Sequence, residues 1–299
     1  MPIPDRTGSP LTVLITGASS GIGRATAVRL ARRGARLVLV ARGRSALEET
    51  AEELRAAGAA AVTVCPADVL DEEGIAAVVA AAVREFGRLD VVVHSAQVMA
   101  YGRIEDVPKE VYERVVDTSL HGTATLARHV LPVFRRQRAG HLVIVNSLLG
   151  TVTTPVLGSY SVAKWGQLAL ARVLQQETRD EPGISVSVVQ PGGVNTPIYY
   201  QGASYAGSTG RPPPPVYSAA RVARRVLATV DRPRRAVQAG LLNHVVTAGF
   251  RLFPGLYDVL VEPLLRTFAL AGDDAPPTEG NVFRSRPEGN ATEGRWRSI

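Results

Sequence analysis

The chain has 299 residues, 45% hydrophobic and 20% charged, with a formal charge of +7 at neutral pH. That length supports one large domain or two small ones with a buried core, and the composition excludes a collagen-like or generally disordered chain. A single cysteine, Cys65, excludes a disulfide framework, and five histidines without ligand spacing exclude a metal centre, so a cytoplasmic protein without metal is the expectation.

The polar, Pro-containing start at residues 1–10 lacks the basic-then-apolar pattern of a secretory signal, and no run of about 18 apolar residues marks a membrane-spanning helix. Strand and helix patterns then alternate as far as residue 237. Apolar, β-branched runs predict strands at 11–16, 36–41, 61–66, 91–94, 141–145 and 184–190, with helical stretches between, one of them over 45–57. Each run is continuously hydrophobic, so each strand is covered on both faces. Strand, helix, strand in repetition implies right-handed crossovers. The expected fold class is α/β: a Rossmann-type, doubly wound parallel sheet with helices on both faces, over residues 1–237.

After the last of these strands the character changes. Residues 202–215 are rich in Gly, Ser and Pro and end in four prolines, which makes a stiff loop. Residues 238–272 form an apolar extension that Pro254 and Pro263 divide into short helices. It either packs on the rim of the active site, joins a second copy or lies on a membrane surface; packing within the protein is favoured. Residues 273–299 are polar, with Pro276, Pro277, Pro287 and several glycines, and read as an extended or disordered tail. Lys109 and Lys164 are the only lysines. The many arginines, among them Arg221, Arg224, Arg225, Arg232, Arg234 and Arg235, read as a solvated face, and no nucleic-acid partner is expected.

The loop Thr16-Gly17-Ala18-Ser19-Ser20-Gly21-Ile22-Gly23 follows the first strand and opens the first helix. Glycines there permit a tight turn and bring backbone amides, at the positive end of the helix dipole, close to a pyrophosphate. Gly17, Ser19, Ser20, Gly21, Ile22 and Gly23 are thus candidate dinucleotide contacts. The second strand ends at Ala41-Arg42, where an NAD-selective site commonly carries a carboxylate for the ribose hydroxyls. A guanidinium instead matches a phosphate dianion, so NADP(H) is expected over NAD(H). Asp68 either accepts from the adenine amino group or caps the helix beginning near Asp71.

Tyr160-Ser161-Val162-Ala163-Lys164 sets a phenol and an ammonium one helical turn apart on one face. A free tyrosine has a pKa near 10, so proton transfer at neutrality needs the phenolate stabilised by roughly 4 kcal/mol, much of which a neighbouring cation can supply. Ser147, at the end of the strand 141–145, can hydrogen-bond a carbonyl oxygen.

Residues 10–237 resemble a short-chain dehydrogenase/reductase. The glycine loop, Asp68-Val69, Ser147, Tyr160, Lys164 and Pro191-Gly192 with Thr196 fall in that family's order and spacing. The resemblance implies hydride transfer between a nicotinamide cofactor and a carbonyl or alcohol carbon. It makes Tyr160 the general acid/base, with Lys164 on the nicotinamide ribose and lowering the Tyr160 pKa, and Ser147 orienting the substrate oxygen. It places Asp68, Val69, His94, Ser95 and Ala96 along the cofactor and Pro191, Gly192, Val194 and Thr196 at the nicotinamide amide.

Two departures stand out. The family's Asn-Asn-Ala-Gly is His94-Ser95-Ala96-Gln97 here, and its fourth catalytic member, a helix-bending Asn that holds a relay water, is Ser119. A working relay is expected, and a nucleotide-binding regulator or scaffold with little turnover is the alternative. The region after Asn195, with Ile198, Tyr199, Tyr200 and Tyr205, occupies the place of the substrate lid. With Leu148, Leu149, Met99 and Tyr101 it either forms an apolar pocket for a hydrophobic ketone or alcohol or packs the lid on the core. The resemblance further implies a homodimer or homotetramer through the helices near 106–138 and 159–180.

Overall fold

The computed structural model describes residues 9–299, so most of the segment 1–10, read above as no secretory signal, lies outside the described residues. Seven parallel strands form the central sheet: β1 (Thr12–Thr16), β2 (Arg36–Ala41), β3 (Ala61–Pro66), β4 (Val91–His94), β5 (Gly140–Val145), β6 (Ile184–Pro191) and β7 (Ala236–Ala239). Their order across the sheet is β3-β2-β1-β4-β5-β6-β7, the doubly wound Rossmann-type arrangement. Six of the seven are the predicted runs. The seventh, Ala-Val-Gln-Ala, is too short and too exposed at its start to read as a buried strand.

Why the strands are continuously apolar is visible in the two cores. Val13, Ile15, Leu37, Leu39, Val91 and Val93 point to one face, against α1 (Gly21–Ala31), α2 (Arg44–Ala56) and, further along the chain, the helix at Ala219–Asp231. Leu14, Val38, Val92, Leu142 and Ile144 point to the other, against α3 (Glu72–Phe86), α4 (Lys109–Gln137) and α5 (Gly158–Glu177). Alternate residues of one strand therefore serve opposite cores, and neither set can be polar.

Beyond β6 the chain forms α6 (Ile198–Gln201), then α7 (Ala219–Asp231), β7 and a helical pair, α8 (Asn243–Leu252) and α9 (Pro254–Ala269). Pro254 opens α9 at its first position, where its missing N–H costs nothing, whereas Pro263 lies inside α9 without ending it. Leu265, Ala269 and Leu270 pack on Met99, Tyr101, Val156 and Leu157. The outer side chains, including Val245, Leu252 and Val259, stay more than half exposed. Internal packing therefore accounts for one side of this pair only. No helix among the described residues is long and apolar enough to cross a membrane.

The C-terminal segment, polar enough to read as an extended or disordered tail, is extended in backbone but docked along the body. Thr278 and Ser204 exchange backbone hydrogen bonds, the Asn281 amide donates to the Gln201 carbonyl, and the Ile299 amide to that of Val216. Val282 is fully buried against Val98, Val107, Val111 and Val115. Trp296 sits with its ring centroid 5.8 Å from both Tyr199 and Tyr200. Sparse apolar anchors and backbone pairing replace the continuous hydrophobic pattern that sequence reading relies on.

One contact fixes how α4 returns to the sheet. A Cβ on Gly140, the first residue of β5, would lie 2.0 Å from Cγ of the fully buried Phe134 on α4. Gly140→Ala is expected to destabilise the fold by about 1–3 kcal/mol through overpacking, seen as a lower denaturant midpoint with unchanged slope.

Candidate active site

The glycine loop keeps its shape because side chains do not fit in it. Gly17 has φ +67°, and a Cβ there would meet the backbone of Ser95 and Ala96 at 2.8 Å; on Gly23 it would meet the Gly17 carbonyl at 2.2 Å. Thr16 Oγ1 accepts from the amides of Ser95 (3.2 Å) and Ala96 (3.3 Å), so its own proton goes to His94 Nδ1 at 2.8 Å. His94 is fully buried, and burial, with Lys164 as the lesser cause, lowers its pKa to about 3. It is therefore neutral and turned away from the cleft; it shapes the loop rather than lining it.

Gly17, Ser20, Gly21, Ile22 and Ser95 line a cavity of about 650 Å³. Ser147 and Tyr160 line it too, as do Pro191, Gly192, Val194 and Thr196. A second, smaller cavity around Ser19, Arg42, Asp68, Val69 and Ala96 adjoins it, sharing Gly17, Ser20 and Gln97. The first cavity continues between Leu148, Leu149, Met99, Tyr101, Ile198 and Tyr199 to an apolar wall from α8 and α9: Val246, Phe253, Leu256, Leu260, Leu264 and Phe268. Of the readings given for the apolar extension, this wall matches packing on the rim of the cavity. Tyr200 and Tyr205, expected in the pocket, lie outside it: the Tyr200 hydroxyl donates to the Gly289 carbonyl at 2.9 Å, and Tyr205 packs in the cluster around Val107.

Lys164 is fully buried and lines neither cavity, and among the described residues it has no carboxylate partner. Its Nζ donates to the Val145 carbonyl (3.2 Å) and to Gln167 Oε1 (3.1 Å) and sits 5.5 Å from the centre of the Tyr160 ring. Burial pushes the amine well below its usual value. The Tyr160 phenol is pushed above its usual range by burial and by Tyr199, while a hydrogen bond from Ser147 acts the other way. The expected lowering of Tyr160 by Lys164 is not the prevailing effect here; desolvation is, and it keeps the phenol protonated.

Gln167 is the partner of Lys164 that sequence reading missed. Also fully buried, it donates from Nε2 to the Ser119 carbonyl (3.2 Å) and Thr123 Oγ1 (2.9 Å), and its Oε1 also accepts from Asn146 Nδ2 at 2.9 Å. Its amide thus links Lys164 directly to the carbonyl of Ser119. The signal for it is helical spacing, three residues beyond Lys164 on α5. The two departures from the family pattern meet each other: Ser119 Oγ donates to Gln97 Oε1 at 2.5 Å.

Asp68 does not cap α3; Asp71 does, accepting from the Gly74 amide at 3.0 Å. Asp68 instead pairs with Arg114 and accepts from the Leu70 amide, keeping its place on the smaller cavity. Arg42 also lines that cavity, yet two of its N–H groups are taken by carbonyls of the C-terminal segment, Val282 (2.8 Å) and Asn281 (2.5 Å). Among the described residues no group of His, Cys, Asp and Glu is placed to hold a metal ion.

Comparison with known proteins agrees with this geometry. A short chain dehydrogenase family model matches residues 11–202. The chain is 32% identical over 259 residues to the oxidoreductase YxnA of Bacillus subtilis, covering 85% of this chain and 72% of that one. It is 34% identical to dehydrogenase/reductase SDR family member 7B of Bos taurus, covering 66% and 62%. Among solved structures, an alcohol dehydrogenase of the archaeon Thermococcus sibiricus, complexed with 5-hydroxy-NADP, superposes with a TM-score of 0.66 at 28% identity, covering 77% of this chain and 95% of that one. A Burkholderia phymatum enzyme in complex with NAD shares the fold, with a TM-score of 0.74 at 24% identity and coverage of 83% and 95%. With a parallel seven-stranded sheet, a glycine loop at its switch point and the family model over most of the core, the chain belongs to the short-chain dehydrogenase/reductase family of oxidoreductases.

Proposed function

We propose that this chain is an NADP(H)-dependent oxidoreductase that interconverts a carbonyl and an alcohol on a hydrophobic substrate. The observation that carries the reading is one cavity lined together by the glycine loop, by Ser147 and Tyr160 and by apolar side chains of α8 and α9. The residues fit a dinucleotide: Gly17 and Gly23 leave backbone where a Cβ would collide, and Ser20 at the start of α1 makes no side-chain cap of its own. When bound, the nicotinamide supplies or accepts the hydride.

The chain's own residues do the rest. Ser147 holds the substrate oxygen, and Tyr160, kept as a phenol by burial, donates its proton to that oxygen in reduction. Lys164 has two of its three N–H donors engaged, by Val145 and Gln167, and offers the third to a ribose hydroxyl. Arg42, in a strand end without a carboxylate, favours the 2′-phosphate. The complex of the archaeal relative with 5-hydroxy-NADP supports the cofactor class. The low-turnover alternative rested on Gln97 and Ser119; their mutual hydrogen bond leaves Ser147 and Tyr160 facing the cavity. Assembly through α4 and α5 belongs to the same reading: Val162, Trp165 and Val173 on α5 are exposed.

Tyr160→Phe is expected to lower kcat for ketone reduction by about 100–10,000-fold with nucleotide affinity retained. Bulky apolar ketones should turn over and small polar ones should not; the opposite ranking would refute the apolar-substrate reading. The pH dependence follows from the raised phenol. Reduction needs the protonated form and should stay flat from about pH 6 to 8, whereas alcohol oxidation needs the phenolate and should climb with pH over the same range. A reduction rate that declines across that interval would place the Tyr160 pKa below its burial-raised value.

A further inference from the structure

The residues around Arg42 leave a phosphate site half built. The smaller cavity is walled on one side by the end of β2, with Ala41, Arg42 and Gly43, and on the other by the C-terminal segment, with Asn281, Ser285, Arg286 and Asn290. Arg42 spends two of its five N–H donors on the carbonyls of Asn281 and Val282. It cannot surround a dianion with what remains. The other nearby cations are engaged: Arg114 pairs with Asp68, and Arg44 lies 3.5 Å from Glu48 in solvent.

Arg286 is different. Its backbone is held, because its carbonyl accepts from Gln201 Nε2 at 2.9 Å, while its guanidinium makes only one long contact, 3.4 Å to Thr278 Oγ1. No carboxylate lies within ion-pair distance of it among the described residues. Ser285 is fitted against the turn after Arg42: a Cβ on Gly43 would stand 3.1 Å from Ser285 Oγ. That closeness registers the C-terminal segment on the residue next to Arg42 and brings a hydroxyl donor with it.

We propose that Ser285 and Arg286 complete, with Arg42, a pocket for the 2′-phosphate of the adenosine ribose; this extends the NADP(H) reading above and rests on it. Two guanidinium groups and a hydroxyl give a phosphate dianion charge neutralisation and directed donors, which a single partly engaged arginine does not. The neutralisation of Asp68 by Arg114 removes the one carboxylate on the cavity wall that would oppose it. Cofactor choice then depends on a segment more than 240 residues from the strand end where such selectivity is ordinarily sought.

The test is a fluorescence titration of the full chain with NADPH and with NADH, and a competition series with adenosine 2′,5′-bisphosphate and 5′-AMP. Wild type, Arg42→Ala, Ser285→Ala, Arg286→Ala and Arg286→Lys would be compared. Loss of a charged hydrogen-bonding partner predicts that Arg286→Ala weakens NADPH and the bisphosphate about tenfold, with NADH and 5′-AMP changed less than about twofold. Arg286→Lys should recover part of that loss, and Ser285→Ala should show a smaller one of the same selectivity. Unchanged NADH binding serves as the control for an intact fold. If Arg286→Ala binds NADPH as wild type does while Arg42→Ala loses its preference, the C-terminal segment is no part of the phosphate site and the cofactor reading stands. Weakening of both nucleotides alike in Arg286→Ala would assign it a structural role and overturn the proposal. Equal wild-type affinity for NADPH and NADH would overturn the cofactor reading and the proposal together.

Discussion

The arrangement of this candidate site depends on a buried lysine amine that meets no carboxylate among the described residues. Lys164 reaches full burial on neutral oxygens alone, the Val145 carbonyl at the end of β5 and the Gln167 amide on α5. Burying a charge without a counter-ion is costly, so every partner must be held in place. Gln167 is held by Ser119 and Thr123 of α4, and Asn146 bonds both Gln167 and the Lys164 carbonyl. The strand end, α4 and α5 are thereby joined at one point, directly under Tyr160. A change in any of the three polar side chains there, Gln167, Thr123 or Asn146, would be felt as a displacement of the amine.

The same low-dielectric setting explains the state of the neighbouring groups. His94, Tyr160 and Lys164 are each driven toward their neutral forms by desolvation. A site in which desolvation already disfavours charge suits an apolar substrate. The walls agree with this. α8 and α9 present Phe253, Leu256, Leu260 and Phe268 toward the cavity, each still partly exposed, and leave Val245, Leu252 and Val259 off it in solvent.

Much of this was legible in the sequence because the core of the fold repeats a strong signal. Six apolar runs gave six strands, and residues of the glycine loop, Ser147 and Tyr160 line one cavity. What could not be read depends on contacts between distant residues. Gln97 and Ser119 looked like two separate losses, but they are one hydrogen bond, and only the packing of α4 against the β4 loop reveals it. Gln167 sits on a face that periodicity marks as buried, yet nothing in its own neighbourhood says that it holds Lys164. The C-terminal segment misled for a different reason. Its composition is that of a disordered chain, and its docking rests on a few buried side chains and on backbone pairs that composition does not record.

That docking has a consequence for the whole molecule. The Gly21 amide, at the start of α1, donates to the Ala291 carbonyl at 2.9 Å, and Glu293 accepts from the amides of Ala219 and Ala220 at the start of α7. Asn195 and Trp296 exchange hydrogen bonds at the other end of the groove. The final twenty or so residues thus tie together the starts of two helices, the strand end at Arg42 and the residues beside Thr196. The Gly21 amide is also one of those a pyrophosphate on the glycine loop would use, so a bound nucleotide and the Ala291 carbonyl meet at the same donor. Nucleotide binding and the docking of this segment are therefore linked, and each changes the other by the same free energy.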